Sequence, residues 1–353
     1  MIKAITCLLF IFAQPVVPAV PKPQTVILTA DKVMLSTVLA DLSKQTGVPI
    51  TDKRGGPDVA ITLMLKDAPY WQAIDAVADA ASARVDINPR DGHISLLKRN
   101  EKEPSPAISR EGLFRAAIKR ISAHHDFDNG DSAYTALVEI AWEPRLLPLF
   151  LETSPRGFKV ADINAKDLPV RQEGSTLSPV DGRASFVLEL PLPAFDRSAP
   201  RIGQLQGSLM AIAPSRMLQL TCGTLDQLEA DAKNSKSKTF GEDGMKCTIR
   251  KVVLADDRWS VQVALEYPPG GPAFESYQSW VVDNEMFLEN KDGKRLASNS
   301  YVLDSSSARH AVLTYHFTDK NRGKPGDWKL LYRTPASLVE IPFSFSFKDV
   351  RLP

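Results

Sequence analysis

Between residues 25 and 97 the apolar positions follow first a strand period, then a helix period, then a strand period again. That succession is written twice, at an offset of about 35 residues. Leu28, Leu35, Leu39, Leu42 and Ile50 of the first half are matched by Leu63, Tyr70, Ile74, Val77 and Val85 of the second. Residues 25–28 predict a strand. After Asp31, the spacing of Leu35, Val38, Leu39 and Leu42 predicts an amphipathic helix, and Gly47 stands where a left-handed residue closes one. Residues 48–51 return as a strand, Arg54-Gly55-Gly56-Pro57 breaks the chain, and residues 59–65 predict the next strand. A second helix over about residues 70–81 turns Trp71, Ile74 and Val77 inward. Residues 84–87 and 93–97 then predict a hairpin across Asn88-Pro89-Arg90-Asp91-Gly92. The sum is a small α+β domain of βαββαββ order over residues 22–98.

Residues 99–110 contain Asn100-Glu101-Lys102-Glu103-Pro104-Ser105-Pro106, charged and without apolar period, and read as a linker. Beyond it, short alternating strands separated by Pro, Gly and Asp turns predict all-β structure, and a looser duplication appears at an offset of about 120–130 residues. Ile118-Lys119-Arg120-Ile121 matches Ile249-Arg250-Lys251-Val252, and the run from Val138 matches the run from Val261. Residues 183–188 match 309–314, residues 205–209 match 328–332, and residues 217–220 match 339–343. The expectation is two immunoglobulin-like β-sandwiches, at 111–222 and 247–353, joined by a polar connector at 223–246. In Phe343-Ser344-Phe345-Ser346-Phe347, strict alternation turns three Phe to one face. Trp142, Trp259, Trp280 and Trp328 are expected in cores.

By its hydrophobic spacing and its Gly47-Val48-Pro49-Ile50 helix exit, the segment 25–97 resembles the short N-terminal domain of secretins and TonB-dependent receptors. The resemblance implies a periplasmic docking module that engages another protein by sheet-edge pairing or by a helix face. In that family the domain precedes a large outer-membrane barrel, whereas the long amphipathic strands of a barrel are missing from the rest of this sequence. The whole arrangement is similar to that of uncharacterised exported bacterial proteins.

The first residues agree with export. Lys3 supplies a positive start, residues 4–13 an apolar stretch, and Val17-Pro18-Ala19 a small-residue cleavage site, so residues 1–19 are expected to be a signal peptide. The stretch is too short to span a bilayer, and no transmembrane span is expected in the mature chain. Lys plus Arg (43) nearly balance Asp plus Glu (42), a net charge of +1, which leaves no electrostatic footprint for nucleic acid. The expected location is periplasmic or extracellular.

Candidate chemistry is sparse. Cys222 and Cys247 are a candidate disulfide in an oxidising compartment, closing a loop of about 25 residues worth roughly 3 kcal/mol of chain entropy. Two separate free thiols are the other reading. His124-His125-Asp126-Phe127-Asp128-Asn129-Gly130-Asp131 has ligand chemistry but not the spacing of a calcium loop, and Asp-Asn-Gly-Asp reads first as a turn. Gly270-Gly271-Pro272-Ala273-Phe274-Glu275-Ser276 lacks the Gly-Lys-Ser/Thr ending of a phosphate loop, and Ser305-Ser306-Ser307 with His310 lacks a nucleophile elbow. No catalytic residue, cofactor site or metal site is assigned. The expected function is a non-enzymatic envelope protein that binds a protein partner through its first module, with the sandwiches as spacers or a second binding surface. The alternatives are an accessory subunit of a secretion or pilus-type assembly, a carbohydrate-binding sandwich protein and, last, a hydrolase with a site between the sandwiches.

Overall fold

A computed structural model describes residues 21–99, 107–125, 127–128, 132–170, 174, 176–195, 199–268, 280–319, 323–336 and 338–353. The expected signal peptide, most of the expected linker and the Gly270–Ser276 string lie outside the described residues.

The first unit runs β1 (Thr25–Met34), α1 (Leu35–Thr46), β2 (Ile50–Asp52), β3 (Ala60–Pro69), α2 (Tyr70–Ala80), β4 (Ala83–Ile87) and β5 (Ile94–Lys98). Strands β1 and β3 form an antiparallel ribbon, while β2, β5 and β4 form a second small sheet. Leu35, Val38, Leu39 and Leu42 of α1 meet Ile74 and Val77 of α2 in one core with Val26, Leu28 and Ile61. Helix α1 ends at Gly47, whose φ of 72° lets its N–H reach the Ser43 carbonyl at 2.9 Å, as the sequence predicts.

The next stretch comprises β6 (Ile108–Glu111), β7 (Phe114–His125), β8 (Ser132–Trp142), β9 (Phe150–Glu152), β10 (Arg156–Ala161), β11 (Asp167–Leu168), β12 (Leu177–Pro179), β13 (Ser185–Leu192) and β14 (Arg201–Pro214). It is followed by β15 (Met217–Thr224), α3 (Leu225–Lys233), β16 (Lys238–Glu242), β17 (Met245–Leu254), β18 (Trp259–Glu266), β19 (Glu285–Asn290) and β20 (Arg295–Ala297). The chain ends with β21 (Ser300–Ser307), β22 (His310–Phe317), β23 (Trp328–Pro335) and β24 (Leu338–Arg351).

Two sheet pairs result. In one, β13-β8-β7-β6 faces a sheet built on β14, with β24 along one edge of β14 and β10 and β9 sharing the other. In the other, β16-β17-β18-β22-β21 faces β15-β23-β19-β20. Both pairs carry a bulge at the same place. Ile118 lies opposite Val138 and Arg120 opposite Leu137; Ile249 lies opposite Val263 and Lys251 opposite Gln262. Each bulge therefore falls on the central residue of a matched Ile-x-basic run, Lys119 in one and Arg250 in the other.

The partition of the chain differs from the expected 111–222 and 247–353. Strand β15 follows β14 but pairs with β23, and β24 follows β23 but pairs with β14. Pro214 is opposite Leu338 and Met217 opposite Pro335, so the ladder continues in one register across the crossing point. Each sandwich thus receives one strand from the other half of the sequence. The cores follow the pairing: Val339, Ile341, Phe343, Phe345 and Phe347 pack with Phe114 and Leu209, whereas Leu218, Leu220 and Cys222 pack with Cys247 and Trp328. Sequence order alone assigns each strand to its chain neighbour. Here the two-residue link 215–216 carries the chain straight onward from β14 to β15 instead of folding it into a hairpin.

The connector expected at 223–246 is also structured. Helix α3 buries Leu225 and Leu228, one helical turn apart, in the second core, and β16 pairs with β17. Likewise residues 108–110 of the expected linker belong to β6, whose Ser109 hydroxyl accepts from the Ser346 N–H of β24 at 3.0 Å.

Candidate functional site

Helix α2 and the outer face of the first sandwich form the most developed polar arrangement among the described residues. Phe114 and Ala116 of β7 point into the sandwich, so Arg115 between them must point out. It is nevertheless only 2% exposed, because α2 lies across it. Asp75 of α2, 3% exposed, takes Arg115 Nη2 at 3.0 Å and Nε at 3.1 Å, and takes Arg110 Nε of β6 at 2.6 Å. Trp71, one helical turn earlier, donates its indole N–H to the Leu113 carbonyl at 3.0 Å and lies under the Arg115 guanidinium at 6.0 Å. Glu139 of β8 lies 4.0 Å from Arg115 and takes Lys119 Nζ at 3.3 Å. Ala141 of β8 belongs to the core of the first unit itself.

A second contact supports this one. The Gln24 N–H reaches both Glu143 carboxylate oxygens, at 3.0 and 3.1 Å, and Arg145 Nε reaches one at 2.7 Å. Burial pushes the Glu143 carboxyl above its usual range, and Arg145 and the Gln24 N–H only partly oppose that. The phenol of Tyr70 is raised by burial first, and then by the negative charge of Glu143.

With α2 engaged in this way, the large exposed hydrophobic side chains among the described residues of the first unit lie on the β1–β3 ribbon. Val26, Leu28 and Ala30 face the core. Ile27 and Met64 face solvent, 59% and 78% exposed, and Met34 lies at the end of the same ribbon.

The structure brings Cys222 and Cys247 together. They approach from opposite sheets of the second sandwich, both as free thiols and both buried. Beside them, Tyr267 Oη lies 3.0 Å from Tyr332 Oη and 2.6 Å from Thr334 Oγ1, and the Asn284 amide donates to all three at 3.0–3.1 Å. Nothing in the local sequence signals this cluster, since its four residues come from three separate stretches of chain.

The other sequence candidates do not converge. His124 and His125 end β7 on the surface, with Phe127 edge-on to His125 at 5.0 Å; Asp126, Asn129, Gly130 and Asp131 lie outside the described residues. Ser307 and His310 face each other across the β21–β22 hairpin, and His316 Nδ1 is 2.9 Å from Ser260 Oγ on an outer face. Among the described residues no group of three His, Cys, Asp or Glu is placed to hold a metal ion, and no helix is long and apolar enough to cross a membrane. Trp142, Trp259 and Trp328 are buried in the sandwich cores as expected, while the Trp280 side chain lies outside the described residues.

No family model, curated protein or solved structure matches the chain.

Proposed function

We propose that this chain is an exported, non-enzymatic envelope protein that binds a protein partner through its first unit. In this reading the unit is a docking module like the short N-terminal domain of secretins and TonB-dependent receptors. Two immunoglobulin-like sandwiches carry it. The element order β1-α1-β2-β3-α2-β4-β5 supports the module, and the matched strand order and bulge of the two sheet pairs support repeated sandwiches.

The observation that carries the binding role is the division of labour within the module. Helix α2 is committed to the first sandwich through Trp71 and Asp75, so the helix-face mode of docking is used internally. The β1–β3 ribbon keeps Ile27 and Met64 in solvent, and among the described residues neither strand has a second ladder partner. An extended apolar segment of another envelope protein fits that ribbon by strand addition, backbone pairing supplying affinity and the two side chains supplying contact area.

Cross-linking in the native envelope fraction, followed by pull-down, tests the reading. The double variant Ile27→Asp/Met64→Asp should lose a partner that the parent chain and Lys246→Ala both retain. Equal recovery by all three would move binding away from the module. Mass spectrometry of the same fraction should find residues 1–19 removed; an intact Met1 in a cytoplasmic fraction would overturn export.

A further inference from the structure

We propose that Cys222 and Cys247 form an inter-sheet disulfide whose role is to clamp the exchanged strand β15 into the second sandwich. The strand exchange gives the bond its significance. Strand β15 is the only one of its sheet that precedes α3 in the sequence, and it enters along the ladder that crosses between the sandwiches. Its ladder with β23 and the burial of Leu218 and Leu220 hold it, and Cys222 continues their inward face. Cys222 is the extra residue of a bulge, because Thr221 lies opposite Leu331 and Gly223 opposite Leu330; the bulge closes on Gly223, whose φ of 115° suits glycine. Cys247 comes from the facing sheet, between Met245 and Ile249 on the inward side of β17. Both thiols lie in the same buried core, entering it from facing sheets, and each is an immediate neighbour of the other.

The chemistry needs an external disulfide, such as oxidised glutathione or a protein thiol oxidase. One cysteine thiolate attacks a sulfur of that disulfide, forming a mixed disulfide and releasing one thiolate. The second cysteine thiolate attacks the protein-bound sulfur, forming Cys222–Cys247 and expelling the second thiolate. The two cysteines are oxidised, the external disulfide is reduced to two thiols, and the two cysteine protons pass to solvent or to those thiolates. In the folded chain both thiols are buried, and the Cys247 thiol is held protonated by its hydrogen bond with Cys222 and by burial. The bond therefore closes while the chain is folding, before the second core excludes the oxidant.

Reduced, unfolded full-length protein is refolded in a glutathione redox buffer and compared with a portion kept in dithiothreitol. The oxidised product should weigh two hydrogens less and show no free thiol when unfolded without reductant. Its folding equilibrium should favour the native state on the order of 100-fold more than that of the reduced protein. Amide exchange within β15 should be at least tenfold slower than in the reduced protein, with exchange in β24 unchanged. The Cys222→Ala/Cys247→Ala variant should exchange at one rate in both buffers, and Cys222→Val/Cys247→Ala provides a second control of different packing. Two labelled thiols after oxidative refolding would overturn the bond. A bond that slows β24 as much as β15, or neither strand, would overturn the clamp.

Discussion

The outer face of β7–β8 in the first sandwich and that of β17–β18 in the second are the same surface by strand order and bulge position, yet they have opposite fates. In the first, Arg115 lies opposite Ala141, flanked by Arg110 and Glu139, and α2 covers Arg115 through Asp75 and Trp71. In the second, Lys246 takes the place of Arg115 and Glu266 that of Ala141, with Gly241 and Ala264 where Arg110 and Glu139 would be. Lys246 and Glu266 meet each other at 3.3 Å in solvent. The fold is therefore not what recruits the module. Four side chains are, since only the first face offers a planar guanidinium that can meet Asp75 and Trp71 together while leaving a small residue where the module packs.

Breaking the covered face should have the largest effect. Arg115→Ala leaves Asp75 buried with only the half-exposed Arg110 as partner, and removal of one member of a buried pair costs about 3–5 kcal/mol. Limited proteolysis should show residues 22–98 cleaved first. Asp75→Asn/Arg115→Met, which removes both charges, should recover part of that loss. An unchanged urea midpoint for Arg115→Ala would mean that the module is not docked there in solution.

The crossing strands sharpen the comparison from inside. Leu220→Ala in β15 should cost about 2–5 kcal/mol as a core truncation, and Phe343→Ala in β24 about 3–5 kcal/mol. Their damage should fall in opposite sandwiches from those suggested by sequence order. Hydrogen exchange should show Leu220→Ala loosening β17, β18 and β22, and Phe343→Ala loosening β7, β8 and β13. The reverse result would refute the exchange of strands.

Much of the local structure is legible in the sequence. Both helices of the first unit, the Gly47 terminus and the 83–98 hairpin follow from periodicity, because each is decided by residues a few positions apart. The matched runs 205–209 with 328–332 and 217–220 with 339–343 are the strands that form the crossing ribbon. Their partners were not legible, because a strand's alternation states which face is buried and not which strand lies beside it. The match of Val138 with Val261 is two residues from the paired register, where Val138 is level with Val263; a shift of two keeps every side chain on its face. Leu188 matched to Thr314 is one residue off, and the pairing sets it level with Leu313 instead. Helix α3 is not legible, because only Leu225 and Leu228 are buried in a stretch otherwise polar. The docking face was least legible of all. An Asp on one helix and two Arg on neighbouring strands carry no shared spacing.

A pH series separates two kinds of charge in and beside the module. Glu143 is raised by burial, so between 4.5 and its folded value the native state holds a proton that the unfolded chain has released. Its contribution to stability is thus fullest below 4.5, declines as pH climbs through the folded value, and is flat beyond it. Asp52 is lowered chiefly by its hydrogen bond with Arg54, so its contribution is present above 3.8 and is lost as pH falls through the folded value. Melts of Glu143→Gln and Asp52→Asn against the parent should show differences that change in opposite directions across the acid range. Parallel curves would place Glu143 in solvent and separate Gln24 from it.

The smallest effect should come from the uncovered face. Lys246→Ala removes one member of a pair in which both side chains are more than half exposed, and such pairs contribute roughly 0–1 kcal/mol, screened further by salt. Lys246→Arg should be just as quiet. It restores the guanidinium, but Gly241 supplies no second arginine and Glu266 occupies the position where Ala141 lets the module pack. Urea melts of both variants at low and high salt should therefore overlay the parent within about 1 kcal/mol. A loss of several kcal/mol at Lys246 would show that something covers this face in solution as α2 covers the first, and the two sandwiches would then be alike in use as well as in strand order.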